Sequence, residues 1–235
     1  MVQADNPYRI KELIDKSIID GAEAFGMQFE QLKPEFRNKE IYSELFSYTT
    51  KPVYVTNYRY GYNSQKSDDI LAEEIIELAD CGATLCDVMG DFYDKQPDEI
   101  AKSEKAIEKQ TELIEALHKK GAEVLMSSHI FKYTPAEKVL EIALEQQSRG
   151  VDISKIVTGA ETMEQQLENF KILHLLKENL KIPVLFLAVG ECHILRRIDG
   201  FLGNCMCLCV YEHDEFATEQ QPLLKNIKAI RDNMI

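Results

Sequence analysis

The sequence predicts an α/β chain, a (β/α)8 barrel of the TIM type whose first strand is short or missing. Three observations carry this. First, a helix with apolar period is followed by a glycine, a small or apolar residue, an acid or polar residue and a short apolar strand. The unit recurs as "GAEAFGMQF" from Gly21, "GATLCDVM" from Gly82, "GAEVLMSS" from Gly121 and "GVDISKIV" from Gly150. Second, strands alternating with helices of roughly 10–15 residues demand a parallel sheet with crossover helices. Third, no glycine-rich phosphate loop follows the first strand, so an open dinucleotide-binding sheet loses its main support. The 235 residues, 45% hydrophobic and 29% charged, suit one domain over residues 1–235.

The elements follow in order. Ile10, Leu13, Ile14 and Ile18 mark the helix before Gly21, and Ile70, Leu71, Ile75 and Leu78 the helix before Gly82. Each glycine is a C-terminal cap, because it enters the left-handed conformation without a Cβ clash. Strands are expected near 24–29, 53–57, 84–89, 123–127, 152–157, 183–188 and 205–210. The last of these, "NCMCLCVY", sets Cys205, Cys207 and Cys209 on one face at strand spacing, which suits a buried strand better than a metal site. "QPLLKNIKAIRDNMI" reads as the final helix, with Pro222 in its first turn. Only Met1–Asn6 is available for a first strand ahead of Pro7. An edge left open there offers a pairing surface to a second copy of the chain, a homodimer.

Charge and hydropathy narrow the function classes. A net charge of −13 and a pI of about 4.9 argue against nucleic-acid binding. No apolar stretch approaches membrane-spanning length, and "MVQADNPYRI" lacks the regions of a signal peptide. The expectation is a cytoplasmic protein with no membrane partner.

Two residues stand out. "GVDISKIVTG" sets Lys155 among Ile153, Ile156 and Val157. A strand apolar on both sides is covered on both faces, so Lys155 points into a desolvated place that favours the neutral amine. A neutral amine attacks carbonyls to give an imine. The alternative is a lysine that snorkels to water or pairs with an acid. The preceding strand runs into "LMSSHIFKYTP", where His129 follows Ser127 and Ser128 just past the apolar run. In a barrel this is the C-terminal face, where active sites gather. Histidine there is a proton shuttle or an ordinary packing residue; two successive strands delivering a histidine and a lysine to one end favour the former.

These residues carry a resemblance. "SSHIFKYTP" followed by "GVDISKIV" resembles the signature of type I 3-dehydroquinate dehydratases, with its histidine before F-x-x-T-P and its Schiff-base lysine in G-x-D-x-x-K. "IPVLFLAVGECHILRRIDGFLGN" is similar to the family's M-G-x-x-G-x-x-S-R segment, "FATEQQP" to its S-A-P-G-Q, and "KPVYVTNYR" and "CGATLCDVM" to strands beginning P-x-x-x-T and ending D-x-E. The resemblance implies an imine on Lys155, proton transfer by His129, a substrate carboxylate held by Arg197, and a covering loop that brings Gln220. It implies no metal or organic cofactor and a small-molecule keto-acid partner. Arg59 is the nearest match to the family's pocket arginine, one residue out of register.

The pocket departs from the pattern elsewhere. The family's E-x-R-x-D becomes Gly26, Gln28 and Glu30; the D-x-E strand keeps Asp87 but ends in Met89; Arg196, Val189 and Phe216 replace other motif residues. Two readings follow: a Schiff-base lyase dehydrating 3-dehydroquinate or a related hydroxylated keto acid, or a weak or inactive barrel that binds a small carboxylate or a protein partner.

Overall fold

The computed structural model describes residues 1–234; Ile235, the end of the expected last helix and of the expected 1–235 domain, lies outside the described residues. Helices and strands alternate as the sequence predicts: α1 (Pro7–Ile19), β1 (Phe25–Gln28), α2 (Lys39–Ser47), β2 (Val53–Thr56), α3 (Asp68–Asp80), β3 (Leu85–Met89), α4 (Glu104–Lys119), β4 (Glu123–His129), α5 (Ala136–Ser148), β5 (Ile153–Gly159), α6 (Met163–Asn179), β6 (Val184–Val189), α7 (Leu195–Leu202) and α8 (Leu224–Met234). The six strands stand in the sheet in chain order, and β1–β2, β2–β3, β4–β5 and β5–β6 pair in parallel. The four predicted glycine caps have positive φ, 86° at Gly21, 118° at Gly82, 86° at Gly121 and 85° at Gly150, which an L side chain adopts only under strain.

The chain forms two compact units, one of Met1–Asp87, Glu115–Glu123 and the chain from Leu208, the other of Val88–Ile114 and Val124–Cys207. In the first, the Asn6 side chain accepts the Arg9 N–H at 2.9 Å and Pro7 opens α1. α1 buries Ile10, Leu13 and Ile14, and α3 buries Leu71, Ile75 and Leu78. Ile18 and Ile70, expected on those apolar faces, are exposed in the terminal turns of their helices. Because α1 starts at Pro7, the first strand shrinks to one parallel bridge, Val2 to Met27, with the Val2 N–H donating to Gly26 O at 2.7 Å.

The second unit holds β4, β5 and β6. Among the described residues the strand expected at 205–210 is absent: Cys205 N–H reaches Val184 O at 2.9 Å, and beyond it Val210 forms an isolated bridge with Leu223. The reason lies at Asn204. Its side-chain amide accepts from Phe186 N–H and donates to Phe186 O, both at 2.8 Å, so it occupies the edge of β6 as a strand would. The three thiols therefore do not share a buried face; Cys205 is exposed, Cys207 half-buried and Cys209 buried.

Buried Arg149, just past α5, ties the long β3–α4 connection down. Its guanidinium donates to Gly90 O (3.1 Å), Ala101 O (2.7 Å), the Gln110 side chain and Glu145 (3.2 Å). Removing it takes a donor from the buried Ala101 carbonyl and from the Gln110 side-chain oxygen, while Gly90 O keeps the donors of Gln110 and Ala101. Arg149→Met should cost about 3 kcal/mol of stability, the scale of a broken buried charged network. Arg149→Lys should recover little, since one ammonium does not reproduce a planar fork. Urea unfolding checks both, and a loss below about 1 kcal/mol for the methionine variant would show that the loop is held by other contacts.

Candidate active site

Lys155 lies on β5 in register with Ser127 of β4 and Leu185 of β6, and the next same-face row is Val157 with His129 and Leu187. Parallel strands in register project paired residues to one face. His129 therefore stands on the neighbouring strand, one row beyond Lys155 towards the C-terminal strand ends. With strands ~4.8 Å apart and ~3.3 Å of rise per residue, their Cα atoms are roughly 8 Å apart, within reach of two long side chains. Lys155 is only 4% exposed, so its stem does not carry the amine out to bulk water.

The opposite face of the same strands explains why the register is stable. The buried Gln146 side chain of α5 donates to Ser128 Oγ (3.0 Å) and Lys155 O (3.2 Å), and accepts from Ser154 Oγ (2.6 Å). One amide thus bridges β4 to β5 directly behind the lysine. The backbone past the strand end is held too: Ile130 N–H donates to Val157 O at 2.9 Å, and Phe131 turns to φ 59° and stacks its ring on His129, centroids 5.7 Å apart.

Sequence reasoning missed Glu99. It sits in the β3–α4 connection, 30 residues from His129, and its carboxylate accepts the His129 backbone N–H. No motif spacing links a loop glutamate to a histidine a strand away, and only the folded loop brings them together.

The remaining expected residues divide. Arg197 is in the first turn of α7 in the same unit as His129 and Lys155, half-buried, with Nη1 3.4 Å from His193 O. Arg59, in the first unit, is gripped by Asp68 at the start of α3, Nε–Oδ1 2.6 Å and Nη2–Oδ2 2.7 Å. Gln220 is half-buried in the connection before α8; the neighbouring Gln221 makes the turn, accepting Thr218 N–H at 2.9 Å and presenting its carbonyl to His213 at 2.8 Å.

The first unit also buries two carboxylates. Asp87 of β3 accepts the phenols of Tyr54 and Tyr58, whose own acidity is suppressed by burial first and by that carboxylate second. Glu30 accepts Thr56 Oγ1 at 2.9 Å and Tyr58 N–H at 3.4 Å. Burial nevertheless pushes its carboxyl up to about 7.

Comparison with known proteins matches residues 65–231 to the model of a family described as type I 3-dehydroquinase. A 3-dehydroquinate dehydratase of Alkaliphilus oremlandii (strain OhILAs) is 34% identical over 90 residues, which span 37% of this chain and 35% of that protein. The match thus covers about a third of that relative's length. Among solved structures, the type I 3-dehydroquinate dehydratase of Clostridium difficile with covalently modified comenic acid has a TM-score of 0.79 at 17% identity, over 99% of this chain and 90% of that one. The 3-dehydroquinate dehydratase of Geobacillus kaustophilus HTA426 has a TM-score of 0.83 at 12% identity, over 98% and 88%. At these identities the likeness is one of fold.

Glu30 makes the stability of the chain depend on pH. Its folded value is raised from 4.5 to about 7, so the unfolded chain gives up its proton first. The contribution is fully present below about 4.5 and is lost as pH climbs to about 7. Its size is about 3 kcal/mol, and Glu30→Gln should remove that part of the slope. Urea unfolding between pH 4.5 and 8 would show it; identical slopes in the two proteins would mean that Glu30 is ionised in the folded chain.

Proposed function

The chain belongs to the type I 3-dehydroquinase family, and from that premise we propose that it is a carbon–oxygen lyase dehydrating 3-dehydroquinate to 3-dehydroshikimate through an imine on Lys155. The observation that carries the reading is the shared face of β4 and β5, which sets a buried lysine one row behind a histidine at the strand ends. The amine adds to the substrate ketone and water leaves, giving the imine. The imine withdraws electrons from the adjacent carbon, whose proton the His129 ring accepts. The same ring returns that proton to the departing hydroxyl, so no net proton is held. Hydrolysis of the product imine frees Lys155. Leu185 beside the lysine, with Val157 and Leu187 in the next row, keeps water from the imine until then.

Arg197 serves in this reading as the clamp on the substrate carboxylate, for which a planar guanidinium is suited. Gln220 and Arg59 enter it as substrate-binding groups on the family pattern alone, and Arg59 would have to exchange Asp68 for the substrate. The eight-stranded barrel, as one domain, belongs to the same reading. It is supported by the Val2–Met27 bridge beside β1 and by the Met1 amino group donating to Cys209 O. Among the described residues no helix is long and apolar enough to cross a membrane. A cytoplasmic enzyme, pairing as a homodimer along the side of β1 that a single bridge covers, completes the proposal.

Mass spectrometry after incubation with 3-dehydroquinate and borohydride tests it. Wild-type protein should gain the reduced substrate. Lys155→Ala should gain nothing and keep its fold, because a buried lysine adds little net stability. His129→Ala should still be trapped but turn over about 10²-fold or more slowly. Arg197→Ala should chiefly raise KM. A wild-type protein that forms no adduct with dehydroquinate or a related keto acid overturns the reading in favour of a binding protein.

A further inference from the structure

Among the described residues three non-glycine positions have positive φ: Tyr93 at 68°, Glu99 at 50° and Phe131 at 59°. All three belong to the two loops around His129. Such conformations cost on the order of 1 kcal/mol or more each and persist only where the surroundings enforce them. At Glu99 the enforcement is visible. Ser128 Oγ donates to Glu99 O at 2.7 Å, and Glu99 N–H donates to Gln96 O at 3.1 Å. Two residues on, Ala101 N–H donates to Gly90 O at 2.9 Å and Ala101 O receives Arg149. Asp94 accepts the N–H groups of Lys102 and Ser103, both at 2.8 Å. The loop lies so close to Gly90 that a Cβ there would meet Glu99 O at 2.5 Å.

The loop delivers a carboxylate to the histidine. Glu99 Oε2 accepts the His129 backbone N–H and lies 3.9 Å from Nδ1, in ion-pair but not hydrogen-bond range. Phe131 covers a face of the ring. We propose that Glu99 is the positioning residue of His129: its carboxylate holds the imidazole as the Nδ1–H tautomer, leaves Nε2 as the proton acceptor, and steadies the imidazolium formed when the ring takes the substrate proton. Glu99 stays ionised throughout and exchanges no proton with substrate. A carboxylate beside one ring nitrogen fixes which nitrogen is the base. The inference rests on the reading of His129 as the proton carrier, and it adds a residue from a connection where no motif pointed.

Glu99→Gln separates this role from a structural one. Glutamine keeps the length of the side chain and an oxygen for the His129 N–H, but not the charge. With 3-dehydroquinate, Glu99→Gln should lower kcat by about 10-fold or more with KM little changed, while borohydride still traps the imine and the melting temperature stays near that of wild type. Wild-type kcat in Glu99→Gln would reduce Glu99 to a backbone cap and overturn the inference, leaving the lysine chemistry untouched. If wild-type protein turns over no dehydroquinate, the proposed function fails first, and 15N NMR of the His129 ring decides the inference instead. A neutral ring protonated on Nδ1 in wild type, with that preference weakened in Glu99→Gln, supports it; a neutral ring protonated on Nε2 in wild type ends it.

Discussion

The register of Ser127 against Lys155 sets the position of everything that matters chemically in the second unit. A slip of one residue would turn Lys155 towards the helix side and bring Ser154 or Ile156 to its place, because strand side chains alternate with period two. The register is defended from behind. Gln146 saturates its amide on Ser128, Ser154 and the Lys155 carbonyl, and these partners coincide only in the observed pairing. A buried amide left half-satisfied would cost more than the bonds contribute. The polar network is thus a device of specificity: it selects one register among several that the apolar residues alone would tolerate.

A second constraint works through the β3–α4 connection. A loop that holds two left-handed non-glycine residues, Tyr93 and Glu99, is unfavourable by itself. Arg149 offsets this by fastening both ends, at Gly90 and Ala101, to the end of α5. Burying a guanidinium is costly, and its affinity for the proton is lowered by desolvation. Four acceptors compensate. Gln146 and Arg149 lie three residues apart at the C-terminal end of α5, so one helix end fixes both the strand register and the loop beside the histidine.

The buried acids show a different balance. Glu30 in the first unit and Asp199 in the second are both pushed up to about 7, burial being the leading cause in each. Hydrogen bonds from Thr56 and Tyr58 to Glu30, and the Gly200 N–H together with the charge of Arg196 at Asp199, oppose the shift without cancelling it. Such groups are poor stabilisers at neutral pH, and a fold keeps them at the expense of stability.

By itself the sequence determined the alternation of strands and helices, the four glycine caps, and the placement of His129 and Lys155 on successive strands. These are local or periodic properties: a left-handed cap needs glycine, a strand covered on both faces is apolar throughout, and a lysine in such a run is conspicuous without any coordinates. The same reasoning failed where a side chain stood in for backbone. "NCMCLCVY" has the composition of a strand, yet Asn204 takes the edge of β6 with its amide, and no pattern of hydrophobicity records that substitution. It was silent where a contact joins distant segments: Arg59 is found on Asp68, and Glu99, which fits no motif, on His129. Tertiary structure alone decided these, because the partner of a polar side chain is set by which loops meet, and that depends on the packing of the whole unit.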